Sequence, residues 1–193
     1  MNFTKLFPTT LVFILATGLT ARAGSISGKV TRGHGSTVVY VDSIPGKTFP
    51  APEKHFTIDQ KALLFQPHVL VVPVGATVDF QNSDNVAHNV FWPNVGGNKK
   101  DSHNLGTWPK GQVRSFKFES IGAVPLLCNV HPEMSGFIIV TPTPYYAQAD
   151  GSGAYKIDDV PDGAYTLVVW HEGSKPVSKQ VTVAGATTAD FSK

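Results

Sequence analysis

An all-β protein is what the sequence predicts, on three observations. Short runs of Val, Thr, Phe and Ile are punctuated by eighteen Gly and fourteen Pro. Val78 and Phe80 alternate with Thr77, Asp79 and Gln81, and Phe116 and Phe118 alternate with Ser115, Lys117 and Glu119, the pattern of half-buried strands. Beyond residues 1–23 no stretch sustains a helical period.

Residues 1–23 read as a cleaved signal peptide: Lys5 gives a positive start, Leu11 to Leu19 a short apolar core, and Ala21-Arg22-Ala23 a small-residue cleavage site. That core is shorter than the roughly twenty apolar residues a membrane span needs, and no other stretch approaches it. The expectation is a soluble periplasmic protein with no membrane span. Its removal takes away Lys5 and Arg22 and no acidic residue, so the formal charge falls from +2 to zero, which argues against nucleic acid as a partner.

Ser25 to Arg32 and Thr37 to Asp42 are the first strands, separated by the turn-like Gly33-His34-Gly35-Ser36. The Pro- and Gly-rich stretch from Ser43 to Lys54 marks a boundary between modules. Phe56 to Asp59, Ala62 to Gln66, Val69 to Pro73 and Thr77 to Asn82 follow as strands, the third bracketed by Pro67 and Pro73 and so placed at an edge or bend. Asn94 to Asn104 reads as a polar loop, and the next strands are those carrying Phe116 and Phe118, Pro125 to Cys128, and Phe137 to Val140.

Between the last two lies Cys128-Asn129-Val130-His131-Pro132-Glu133-Met134. A thiolate, an imidazole and a thioether at three-residue intervals form a soft donor set whose use is to hold a soft or borderline metal. Zinc prefers four strong ligands and seldom takes a thioether, so Met134 points to copper. A blue-copper centre needs one more histidine, and His88 in Asn85-Val86-Ala87-His88-Asn89-Val90 offers it. The alternative for Cys128, the lone Cys of the chain, is an inert buried thiol. Haem attachment would need CxxCH, which is absent.

Gly122-Ala123-Val124-Pro125-Leu126-Leu127-Cys128, the CxxHxxM loop and Ser135-Gly136 resemble, without a gap, the copper loop of the cupredoxins, and are most similar to amicyanin and the methylamine-utilisation proteins. That resemblance implies a Greek-key β-sandwich over residues 54–141, with one copper held by His88, Cys128, His131 and Met134. In the family the first ligand lies in a His-Asn-Val triplet at the end of a strand, matched by His88-Asn89-Val90. Glu133 is the alternative axial donor by analogy with red-copper variants, and Asn89 is expected to tie the two ligand segments together. The sequence departs from the family at Val124 and Leu126, where aromatic residues are common. His68 and His103 are read as surface or hydrogen-bonded residues, with a second metal position or replacement of His88 as the alternative. His34 is read as solvated and His171 as structural.

Asp150-Gly151-Ser152-Gly153-Ala154-Tyr155, then Pro161-Asp162-Gly163-Ala164-Tyr165-Thr166-Leu167, resemble the DGxGxY and PxGxYxL signature of carboxypeptidase regulatory-like, transthyretin-like sandwiches. Val177 to Val183 would close this small Ig-like module. Its first strands are sought in Gly28-Lys29-Val30 and Val38 to Val41, so residues 24–43 and 142–193 are expected to make one sandwich with the copper segment inserted.

By resemblance the protein carries single electrons between Cu(I) and Cu(II), is not an enzyme, and serves a redox partner such as a cytochrome c or a periplasmic dehydrogenase. Leu105, Trp108, Pro109, Pro132, Phe91 and Trp92 are the candidates for an apolar docking patch near His131. The alternative function is copper handling, delivery or resistance.

Overall fold

A computed structural model describes residues 23–31 and 36–192. The signal-peptide reading and His34 lie outside the described residues. The described chain is β throughout apart from one short 3-10 turn, Lys99–Asp101. In chain order the strands are β1 (Ala23–Lys29), β2 (Thr37–Val41), β3 (Phe56–Lys61), β4 (Leu64–Gln66), β5 (Val69–Pro73), β6 (Thr77–Asn82), β7 (His88–Trp92) and β8 (His103–Trp108). They continue as β9 (Val113–Lys117), β10 (Gly122–Leu127), β11 (Ser135–Thr141), β12 (Tyr146–Gln148), β13 (Ala154–Pro161), β14 (Gly163–His171), β15 (Val177–Val183) and β16 (Ala186–Thr188). No described helix is long and apolar enough to cross a membrane.

Four sheets stack in pairs. One half pairs a five-stranded sheet, β5-β11-β10-β7-β8, with a four-stranded one, β4-β3-β6-β9. Ile58, Phe80, Trp92, Val124, Leu126 and Ile138 fill the space between them. The other half pairs β13-β1-β16 with β12-β2-β14-β15 around Ile26, Val39, Val41, Leu167 and Val169. β2 ladders with β12 and β14, and β1 with β13 and β16.

A third apolar cluster joins the halves. Val38 and Trp170 meet Val69, Val71 and Ile139, with Tyr40, Ala123, Phe137 and Tyr146 packed around them. This explains why Val38-Val39-Tyr40-Val41, Val69-Leu70-Val71-Val72 and Phe137-Ile138-Ile139-Val140 are continuous apolar runs. Successive side chains point to opposite faces of a strand, and here both faces are covered. In β6 and β9 only one face is, and those strands alternate. The chain passes from one half to the other at two adjacent points, where Val41 N–H donates to Tyr145 O at 2.9 Å and Thr143 Oγ1 donates to Val41 O at 2.7 Å.

β5 lies at a sheet edge, as its flanking prolines require. Two readings need correction. His88 opens β7 rather than ending a strand, and the polar stretch ending at Asn104 already contains the start of β8, which pairs with β7 through His88 and Trp108, Asn89 and Thr107. β8 is polar along most of its length and exposed, so its place rests on backbone pairing, which leaves no apolar period to read.

Trp170 is the largest side chain at the junction and is buried against the Phe137 ring, centroid to centroid 5.2 Å. Trp170→Ala is expected to cost about 3–5 kcal/mol, measured as a lower denaturant midpoint; an unchanged midpoint would mean that the two halves do not pack as described.

Candidate metal centre

β7 and β10 are neighbours in the five-stranded sheet, with Phe91 opposite Leu127. This register sets His88, at the head of β7, beside Cys128, the residue after β10. The loop from Cys128 then folds back, Met134 N–H donating to His131 O at 3.0 Å, before β11 begins. Gly136 in β11 is required by close packing: a Cβ there would lie 3.0 Å from His68 O and 3.1 Å from Phe65 Cβ. The return strand therefore runs tight against the base of the sandwich.

His88, Cys128 and His131 each direct one ligand atom into a common space, all three atoms within 4.8 Å of one another. His88 Nδ1 and His131 Nδ1 face each other at 3.0 Å. His88, Cys128 and Met134 are buried and His131 is half-buried. Met134 belongs to the same core cluster as Cys128. Glu133 is exposed on the loop. Two imidazoles and a thiol sharing one buried point match the preferences of copper for mixed nitrogen and sulfur donors, and the protein binds copper.

Asn89 ties the two segments. Its backbone N–H donates to Cys128 Sγ at 3.4 Å, and its side-chain Oδ1 accepts from Asn129 N–H at 3.3 Å. Its Nδ2 donates to Asn104 Oδ1 at 2.9 Å and to Gly106 O at 2.8 Å, so β8 is bound into the same network. On the other side of His88, Asn82 Nδ2 donates to Val86 O and Trp108 O, and Asn82 Oδ1 accepts from Asp84 N–H. This closes the turn ahead of the histidine.

Asp84 was not apparent as a site residue from the sequence. Its Oδ2 lies 2.9 Å from His88 Nε2. Partial burial alone would push the Asp84 carboxyl up, but the Leu63 N–H, the His88 ring and the Ala62 N–H outweigh it and hold the group below the ordinary carboxylate range. The available signal was its position four residues before His88, in a turn with no regular period.

The other histidines lie elsewhere. His68 Nε2 sits 3.0 Å from Glu172 Oε1 and so bridges the two halves. His103 packs its ring against Trp92 and Phe116, with centroids at 5.4 and 4.7 Å. His171 is buried, its Nδ1 2.7 Å from Thr37 Oγ1. The expected docking patch is also revised. Trp92 and Trp108 are 1% exposed and belong to the core, Phe91 and Leu105 are half-buried, and Pro109 and Pro132 are exposed. The large exposed apolar residues in segments adjoining the site are Leu63, Leu64, Val86 and Val130.

The fold and this donor set define a cupredoxin domain. Residues 52–141 match the model of the copper binding proteins of the plastocyanin/azurin family. Residues 140–190 match the model of polysaccharide lyase family 4, domain II, an fn3-like match within the second β domain. Similar solved structures include a Cu(I) mutant of amicyanin, 26% identical over 45% of this chain and 81% of that chain, with a TM-score of 0.41. A purple cupredoxin from Nitrosopumilus maritimus is 28% identical over 45% of this chain and 99% of that chain, with a TM-score of 0.40. A copper-containing nitrite reductase from Thermus scotoductus is 25% identical over 52% of this chain and 25% of that chain, with a TM-score of 0.42. No curated protein sequence matches the chain.

Asn89→Ala removes the acceptor of the Asn129 N–H and the donor to Gly106 O. The expected loss is about 1–3 kcal/mol, read from the urea midpoint of the metal-free protein; no loss would mean that Asn89 does not brace the site.

Proposed function

We propose that the protein is a single-electron carrier of the periplasm, with copper held by His88, Cys128, His131 and Met134. The observation that carries this reading is the convergence of one thiol and two imidazoles from separate segments on one buried point. When bound, copper supplies a one-electron couple between Cu(I) and Cu(II). The chain's part is to keep the donors in place in both states. His88 is fixed by the head of β7, Cys128 by the end of β10, and Met134 by burial in the core. Met134 would add a thioether, a soft donor suited to copper.

In this role the protein is not an enzyme and meets a redox partner such as a cytochrome c or a periplasmic dehydrogenase. Leu63, Leu64, Val86 and Val130 supply apolar surface for a small interface that releases quickly. We further propose that the copper domain is inserted in a single sandwich of carboxypeptidase regulatory-like type, formed by residues 24–43 and 142–193. The pairing of β2 with β12 and β14 supports this division.

The test is a visible spectrum with voltammetry of the copper-loaded full chain. An intense thiolate-to-Cu(II) band and reversible one-electron cycling are expected, and Cys128→Ser is expected to abolish the band. A colourless protein that binds only Cu(I) would overturn the carrier role in favour of copper delivery.

A further inference from the structure

The turn between β3 and β4 holds two adjacent non-glycine residues in the left-handed region, Ala62 at φ 55° and Leu63 at φ 58°. Such backbone is disfavoured for residues with a Cβ and persists where surrounding contacts enforce it. The two-residue β3–β4 hairpin, in which Lys61 pairs with Leu64, calls for this geometry, and Asp84 caps it. Ala62 N–H donates to Asp84 Oδ1 at 2.7 Å and Leu63 N–H donates to Asp84 Oδ2 at 3.0 Å. Both carboxylate oxygens are thereby held by a turn distant in sequence, and Oδ2 also lies 2.9 Å from His88 Nε2. His88 is wholly buried, so its remote nitrogen finds no water in place of that partner.

We propose that Asp84, clamped by the Ala62-Leu63 turn, is the positioning residue of the centre: it keeps the proton of His88 on Nε2 and so presents the Nδ1 lone pair to the ligand space. This rests on the ligand reading proposed above. A carboxylate accepting from the far nitrogen of a ligand imidazole fixes its tautomer and ring orientation and raises its donor strength. It also adds negative charge beside the ion, which favours Cu(II) over Cu(I). Because two backbone amides hold the carboxylate, it cannot swing away from His88 when the charge of the site changes. Residues 62 and 63 thus act through Asp84 on His88, which lies 26 and 25 positions later.

Asp84→Asn in the full chain tests this. In the metal-free protein, 15N chemical shifts of the His88 ring should report a single Nε2–H tautomer for the wild type and a mixture for the variant. With copper, Cu(II) affinity should fall about 10- to 100-fold, within the range for loss of such a partner. Cu(I) affinity should fall less, so that the potential rises by about 59 mV for each tenfold difference. Should Asp84→Asn fold poorly, the same change is made in an Ala62→Gly background, where glycine relieves the positive φ and supports the turn. Lower thermal stability with an unchanged tautomer and unchanged potential would overturn the proposal, leaving Asp84 as a brace of the β3–β4 turn. A wild-type protein without the thiolate-to-Cu(II) band would refute the ligand reading instead, while the tautomer in the metal-free protein still decides the role of Asp84.

Discussion

The contact on which the site depends is the hydrogen bond from the Asn89 backbone to Cys128 Sγ, together with the three made by the Asn89 side chain. Without them, β7 and the loop after β10 share one backbone pairing near the site, Leu127 with Phe91. Placing His88, Asn89 and Asn82 inside an apolar sandwich is costly unless their polar atoms are paired. Here the side chains of Asn89 and Asn82 make three bonds each and both nitrogens of His88 face polar atoms. A polar network satisfied to this degree is rigid, since any shift leaves a buried group unpaired. The same bonds that offset the cost of burial therefore fix the donor positions.

The second sandwich strengthens this arrangement from behind. β11, the strand that receives the ligand loop, turns Ile138 and Val140 into the copper-domain core and Phe137 and Ile139 toward Trp170 and Val38. β5, its parallel neighbour, does the same with Leu70 and Val72 on one side and Val69 and Val71 on the other. The strand behind the centre is thus buried on both faces, a condition that a lone copper sandwich of this sequence would not meet. Stripping away the outer half would expose the apolar side chains of Val69, Val71, Ala123, Phe137 and Ile139 together, a patch of the kind soluble proteins seldom leave uncovered.

How far the sequence revealed this follows from where each signal resides. The CxxHxxM spacing is local, so Cys128 and His131 could be read directly, and His88-Asn89-Val90 by resemblance, and the structure brings these three donors together. The apolar runs at Val38, Val69 and Phe137 marked strands because their period is also local. What escaped is set by long-range contact. β8 has mostly exposed polar residues and exists through its pairing with β7. Trp92 and Trp108, taken as surface by analogy, are drawn inward by a core of Phe80, Phe118 and Phe116 whose neighbours no single run announces. Asp84 acquires its role from the Ala62-Leu63 turn, twenty-one positions away.

The two histidines of the centre are not equivalent, and this asymmetry bears on how a carrier could work. His88 is sealed in the interior and its far nitrogen meets a carboxylate. His131 lies half-buried on the loop, next to the exposed Pro132 and one residue from the exposed Val130. In the carrier role proposed above, charge near the inner imidazole would act on the ion without changing the exposed surface, because His88 is wholly buried. Apolar substitutions near the outer imidazole would do the reverse. In that proposed role, such an arrangement would let the redox balance and the docking face be set by different residues, which would keep a weak, rapidly reversible interface compatible with a tightly held metal.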